Sequence, residues 1–327
     1  MSRLPAFLSG LALLTAQLPS VSADACTRLV YHGANDDVIT ARSMDWKVDV
    51  GTNLWIFPRG IARSGEAGPN SVKWTSRYGS VIATGYDIST TDGMNEAGLT
   101  ANLLWLVESE YPHFDGKQPG MSIAIWTQYV LDNFATVKAA VDELSKESFV
   151  VVTDNIPGEE RLGTLHLAIS DASGDSAIFE YIKGKLVIHH GPQYPTMLPG
   201  TNRSADRFAR ASFYVKAIPK SEDPVTALAS VFSVIRNVSV PLGISTPDQP
   251  NISSTRWRTV ADHKRKLYFF ESAMTPNSFW VDLKTIDFAP SAKVRKLDLG
   301  PNQTKTYSGE VSGQFKDAPA FKFLGLS

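Results

Sequence analysis

Ala23-Asp24-Ala25-Cys26-Thr27-Arg28-Leu29-Val30-Tyr31 is the stretch on which the reading of this chain turns. It places the one cysteine of a 327-residue sequence directly after an A-x-A tripeptide and at the head of a strand-like run. Upstream, Arg3 gives a basic start and residues 6–14 an apolar stretch. Residues 1–25 thus have the pattern of a secretory signal peptide cut after Ala25. The apolar stretch is short and soon interrupted by Gln17 and Pro19, so it does not read as a retained membrane anchor.

Cleavage after Ala25 would give Cys26 a thiol nucleophile and a free α-amine on the same residue. The amine titrates near about 8 and the thiol near about 8.5, so the amine can serve as the thiol's base around neutral pH. This is the logic of an N-terminal nucleophile hydrolase. Two other readings fit the same residues. The lipidated cysteine of a membrane-tethered lipoprotein also follows a short apolar segment, although Asp24 suits that pattern poorly. A lone exported cysteine can equally be an inert buried thiol or pair between chains.

The net charge of −1, with 43% hydrophobic and 20% charged residues, describes an ordinary globular protein. It argues against a nucleic-acid or anionic-membrane partner, which is normally met with clustered Lys and Arg. The nearest basic run, His263-Lys264-Arg265-Lys266, lies between two strand-like segments and reads as a solvated turn. About 300 residues after cleavage suffice for a single domain with a sizeable core, residues 26–327.

Runs rich in β-branched and aromatic residues predict strands at 26–31, 38–42, 54–57, 81–86 and 99–107. Helices follow at 121–134 and 136–146, the second with Val137, Ala140, Val141 and Leu144 on one stripe. Strands at 149–153, 165–170, 177–182 and 186–190 come next. They lead to helices at 204–217, with Thr201 or Asn202 as cap, and at 224–237. Strands at 255–260, 266–270 and 279–283 end the pattern. Blocks of strands and helices, without strict βαβ alternation, indicate an α+β arrangement of sheets with helices layered outside.

If the first two strands form a hairpin, Ala41-Arg42-Ser43-Met44-Asp45-Trp46 runs back beside Cys26. An arginine near the sulfur favours thiolate, and a carboxylate near the new terminus can orient the ammonium. The alternative is a surface ion pair of little energetic weight. Trp46 and Trp105 are either core or walls of a pocket for an apolar acyl group. The six histidines lack metal-ligand spacing and read as core or surface residues. No metal or organic cofactor is expected.

Taken together, these segments resemble the choloylglycine hydrolase family, which includes penicillin V acylases and conjugated bile salt hydrolases. The resemblance is carried by Cys26-Thr27, by Arg42-Ser43-Met44-Asp45-Trp46 and by Asp92-Gly93-Met94-Asn95-Glu96-Ala97-Gly98-Leu99. Leu198-Pro199-Gly200, Ala205-Asp206-Arg207-Phe208 and Thr255-Arg256-Trp257 extend it over the mature chain. A tryptophan after the aspartate and an export signal make the chain most similar to the penicillin-acylase-like branch of Gram-negative bacteria. The resemblance implies a four-layer αββα sandwich with Cys26 as nucleophile and base, and Arg42, Asp45 and Arg207 around it. It also implies that the backbone N–H of Trp105 holds the oxyanion. Bile-salt-preferring relatives carry Asn at that position, so Trp105 favours aryl or fatty acyl groups.

The sequence departs from the family at one place. Relatives carry a T-N-x-P segment, whose asparagine completes the oxyanion hole, and then an extended assembly loop. Here Tyr194-Pro195-Thr196 passes almost directly into Met197-Leu198-Pro199-Gly200. The expectation is a periplasmic or secreted amidase that cleaves linear N-acyl amides through a thioester. Its substrates would be small N-acyl compounds: penicillin V, acyl homoserine lactones and conjugated bile salts. No integral membrane segment after processing is expected, and a homo-oligomer is what the resemblance implies. The alternatives are a catalytically weakened protein that binds acyl ligands, or a lipoprotein with Cys26 lipidated.

Overall fold

The first hairpin fixes the frame. β1 (Thr27–His32) and β2 (Val38–Trp46) pair antiparallel with Thr27 opposite Ser43 and Arg28 opposite Arg42. Then follow β3 (Leu54–Phe57), β4 (Ala62–Ser64), β5 (Lys73–Thr75), β6 (Ser80–Gly85), β7 (Ser89–Asn95), β8 (Thr100–Trp105) and β9 (Gly120–Ser122). Helices α1 (Ile123–Asn133) and α2 (Val137–Leu144) precede β10 (Val150–Val152), β11 (Leu165–Ser170), β12 (Ser176–Ile182) and β13 (Lys185–His190). α3 (Ser204–Ala217) and α4 (Pro224–Asn237) lead to β14 (Ser254–Asp262), β15 (Leu267–Ser272) and β16 (Ser278–Asp282). β17 (Arg295–Leu297), β18 (Gly309–Glu310) and β19 (Lys316–Asp317) come last. The computed structural model describes residues 26–191, 204–244, 253–275, 277–300 and 303–325. The expected signal peptide, the Thr201 or Asn202 cap and the Leu198-Pro199-Gly200 segment lie outside them.

One sheet has the order β1-β2-β14-β15-β16-β18 and the other β13-β12-β11-β8-β7-β6-β3-β17-β19. α1 and α2 cover the outer face of the nine-stranded sheet through Ile82, Leu103, Ile125, Leu131 and Val137. α3 and α4 cover the six-stranded sheet over Leu29, Tyr31, Ile39, Val231 and Ile235. Met44, Trp46, Val81, Met94, Trp257 and Phe270 fill part of the space between the sheets. The result is an αββα sandwich of α+β class. Among the described residues no helix is long and apolar enough to cross a membrane.

Strand alternation explains the layering. On β1, Leu29 and Tyr31 face the helices, so Arg28 must face the opposite sheet. It is accommodated there by Asn102 Oδ1 at 2.6 Å and Ser170 Oγ at 2.7 Å. β7 was not predicted, because Thr-Thr-Asp-Gly-Met-Asn has the composition of a turn. It is a strand because β6 and β8 flank it on both sides. Its Gly93 is required by close packing: a Cβ there would stand 2.7 Å from Ile82 and 2.9 Å from Leu131 of α1. The short strands β4, β5, β9 and β17–β19 likewise lacked a readable pattern.

The basic run 263–266 does turn between β14 and β15, but His263 is not solvated. It is buried, donating from Nδ1 to Gly98 O at 2.7 Å and meeting the Thr40 hydroxyl at Nε2, also 2.7 Å. Arg265 pairs with Asp262 and Asp37. Burial holds His263 neutral and lowers its pKa from 6.5 to about 4, with the Gly98 hydrogen bond opposing. The unfolded chain therefore binds a proton between those values that the native state refuses, and stability is lost as pH falls. We expect this residue to remove about 3 kcal/mol between pH 6.5 and pH 4. Urea unfolding across that window should show a drop smaller by about that amount in His263→Gln.

Candidate active site

The antiparallel register brings Arg42 back to the head of β1. Its Nη2 lies 3.4 Å from Cys26 Sγ, 3.5 Å from Met44 Sδ and 2.9 Å from Leu103 O. The guanidinium stacks over the Trp257 ring at 4.6 Å, and its Nη1 is 3.9 Å from Asp92 Oδ2. Arg42 is fully buried, whereas Cys26 is partly accessible. The cation is thus held on several sides and presents a hydrogen to the sulfur.

Asp45 sits on the other face of β2, three positions along. It is buried and accepts hydrogen bonds from Ser43 Oγ at 3.0 Å, from Arg207 Nη1 and from Thr255 Oγ1. Arg207 also donates to Thr27 Oγ1 at 2.9 Å, and the Thr27 N–H donates to Ser43 Oγ at 3.2 Å. Arg42 and Asp45 therefore do not pair with each other as a surface ion pair. Arg42 meets the thiol from between the sheets; Asp45 and Arg207 clamp the residue after it from the helix side.

A bulge makes this two-sided arrangement. β14 pairs with β2 with Thr255 opposite Asp45 and Trp257 opposite Met44, leaving Arg256 as the extra residue. Residues two apart in a regular strand share a face. The bulge instead turns Thr255 towards Asp45 and Trp257 under Arg42. Arg256 pins the end of β2 by donating from Nε to Trp46 O at 2.8 Å.

Trp46 and Trp105 come together, with ring centroids 5.2 Å apart. Trp46 Nε1 donates to Tyr86 OH at 2.9 Å, and the Arg161 guanidinium lies 4.3 Å from the Trp105 ring. Together with Cys26, Met44, Ile156 and Leu165 they line an apolar cavity of about 120 Å³. The backbone of β8 opens towards this site. Leu106 N donates to Thr164 O of the chain leading into β11, so Trp105, opposite Leu165, is out of hydrogen-bonding phase with β11. On its other side the pairing with β7 ends at Asp92 and Asn102. The Trp105 N–H therefore faces the strip on which Leu103 O receives Arg42.

Asp92, Thr255 and Trp257 belonged to the quoted motifs, although sequence reasoning assigned them no role. Asp92 is buried and accepts from Tyr268 OH, from Asn102 Nδ2 at 2.7 Å and from Thr259 Oγ1 at 3.1 Å. Desolvation raises its pKa, opposed first by Arg42. Tyr86 and Ile156 carried no readable signal, since their roles arise from loops folding over the site.

Residues 26–197 and 193–295 match the model of the linear amide C–N hydrolases, choloylglycine hydrolase family. The chain belongs to that family. It is 54% identical to a penicillin V acylase of Pectobacterium atrosepticum over 370 residues, covering 99% of this chain and 98% of the relative. A bile salt hydrolase/transferase of Clostridium perfringens is 24% identical, covering 86% of this chain and 96% of its own. Among solved structures, penicillin V acylase from Agrobacterium tumefaciens superposes with a TM-score of 0.84 at 65% identity, covering 91% and 99% of the two chains. A mutant conjugated bile acid hydrolase from Clostridium perfringens gives 0.69 at 19% identity, covering 88% and 98%. This family member is accordingly an enzyme, a hydrolase of linear amide bonds. The two family matches meet at 193–197, where the sequence is shorter than expected. The 370-residue alignment exceeds the chain by about forty positions. The family match ends at residue 295, the first residue of β17, so β18, β19 and the segment after them lie beyond it.

Removing one member of a buried ion pair strands the other, at a cost of about 3–5 kcal/mol. Arg207→Met should destabilise the fold by that order. Arg207→Met combined with Asp45→Asn should cost less than the sum of the single changes, as guanidinium unfolding of all three variants would show.

Proposed function

We propose that this protein is a cysteine N-terminal nucleophile acylase that cleaves the linear amide of aryl- or alkyl-acylated amines, phenoxyacetyl penicillin foremost. The observation that carries the reading is the cationic Arg42 set 3.4 Å from a partly accessible thiol at the mouth of an apolar cavity walled by two indoles. Removal of residues 1–25 would expose the Cys26 amine. That amine takes the thiol proton, and Sγ attacks the amide carbonyl. The Trp105 N–H supports the oxyanion, and Arg42 steadies negative charge on sulfur. The ammonium returns its proton to the departing amine, leaving a thioester. Water, deprotonated by the same amine, then releases the acid and restores the thiol. The Asp45–Arg207 clamp keeps the Cys26 terminus in register.

The names of the penicillin V acylase relatives support the acyl preference. Cys26 and Trp105 also line an adjoining cavity of about 380 Å³ that reaches His166, Glu180 and His189, and the apolar lining of the 120 Å³ cavity is what favours it for the acyl group. A planar aryl or short alkyl chain fits between the indoles better than fused steroid rings, so acyl homoserine lactones rank before conjugated bile salts. The export pattern of residues 1–25 supports a location in the periplasm or outside the cell. Without the family's oxyanion asparagine segment, turnover should be lower by about 100- to 1,000-fold than in an enzyme that has both donors. The missing positions also favour a second reading, a protein that binds acyl ligands without hydrolysing them.

The mature protein should show an intact mass beginning at unmodified Cys26 and release 6-aminopenicillanic acid from penicillin V. Cys26→Ser and Cys26→Ala should fall to background. Equal background rates in all three, with measurable phenoxyacetate affinity, would leave the binding reading; a diacylglycerol adduct on Cys26 would remove the catalytic amine altogether.

A further inference from the structure

We propose that Leu324, on the segment that follows β19, is the far wall of the acyl cavity and sets the length of acyl chain the enzyme accepts. The proposal rests on the assignment of that cavity to the acyl group.

The cavity does not end between the sheets. Ser89 and Thr91 of β7 and Leu103 and Trp105 of β8 all line it, at the level where pairing of the two strands has stopped. A gap in the nine-stranded sheet therefore leads from the thiol side to the helix side. There Ile123 and Ala124, at the start of α1, and Leu324 complete the lining. A group bonded to Cys26 that grows longer passes between the strands and meets this end.

Leu324 is fixed by both of its backbone groups. Its N–H donates to Ile88 O at 2.9 Å, in the turn between β6 and β7. Its carbonyl accepts from Ser122 Oγ at 3.0 Å, the residue that also caps α1 by accepting from the Ala124 N–H. The side chain therefore stands where the turn and the helix start converge. Aromatic packing anchors the same segment. Phe321 meets Trp55 edge-on with centroids 4.9 Å apart and Phe323 at 4.7 Å, and Arg63 stacks over the Phe323 ring at 5.3 Å. Such a segment can hold a wall in place against a substrate chain, and it lies beyond the residues that define the family.

The wall is made of methyl groups, so it discriminates by space alone. One methylene too many or too few in a hydrophobic pocket changes specificity roughly 10- to 200-fold. In full-length mature protein, kcat/KM should be measured for N-acyl homoserine lactones from butanoyl to dodecanoyl. Leu324→Ala should move the optimum to longer chains, raising the decanoyl-to-hexanoyl ratio by about tenfold. Leu324→Trp should lower that ratio by a similar factor. Binding of hexanoate, octanoate and decanoate to Cys26→Ala protein carrying each Leu324 variant, followed by tryptophan fluorescence, should shift in the same order. Ratios unchanged in both variants and both assays would overturn the proposal. Absence of turnover throughout, with the shift in carboxylate binding retained, would overturn the catalytic reading and keep Leu324 as the wall.

Discussion

One buried cation organises this molecule. Arg42 sits in the middle of a strand that is buried along its whole length, a costly place for a guanidinium unless every side supplies compensation. Trp257 gives a π face, Leu103 a carbonyl freed from its ladder, and Asp92 a carboxylate at 3.9 Å. Each comes from a different strand, and the two sheets must meet in one register for all to arrive together. Among the described residues the guanidinium's hydrogen bonds come from Nη2, to Leu103 O and to the sulfurs of Met44 and Cys26. The fold and the contact of Arg42 with the Cys26 sulfur are therefore two consequences of the same placement.

The opposite face of β2 repeats the logic with the charges exchanged. There a buried carboxylate, Asp45, gathers Arg207 from α3, Thr255 from β14 and Ser43 from its own strand. Neither charge compensates the other across the strand. The bulge at Arg256 lets a single neighbouring strand serve both, which a regular β14 could not do. Farther along the sandwich, Arg28, Asn102, Ser170, Thr40 and His263 extend the polar layer between the sheets. An apolar filling would be easier to bury. The polar layer instead ties relative sheet position to directional contacts, and the position of the sheets is what brings Leu103 O and Asp92 to Arg42.

Much of this was legible in the sequence where local pattern and final environment agree. The strands at 54–57 and 165–170 and the helices at 204–217 and 224–237 match the observed bounds. The hairpin that brings Arg42 to Cys26 followed from β1 and β2 alone. Legibility failed where long-range partners override composition. β7 looks like a turn because its polar residues face a buried network rather than water. His263 looks solvated because nothing local shows that Gly98 and Thr40 will close over it. Asp45 was expected beside Cys26 together with Arg42, yet alternation along β2 sends the two side chains to opposite layers. Trp46 and Trp105 could be named as pocket candidates from type and neighbourhood. Their meeting depends on β8 parting from β7, which no residue pattern announces.

That parting also bears on what the shortened region near residues 193–197 would mean under the proposed function. β8 leaves β7 after Asn102, so the Leu103 carbonyl and the Trp105 N–H share one edge; the first holds Arg42, and in the proposed mechanism the second would receive the oxyanion. An oxyanion site built on a freed backbone edge needs no side chain from elsewhere to exist, only to be strengthened. On the proposed reading the segment that this sequence lacks would supply such strengthening, whereas the thiol, the cation, the Trp105 N–H and the apolar cavity are assembled by elements that are present. Under that mechanism the reduced site would keep the geometry that defines the chemistry and give up part of its electrostatic support, which would lower rate before altering which bond is attacked.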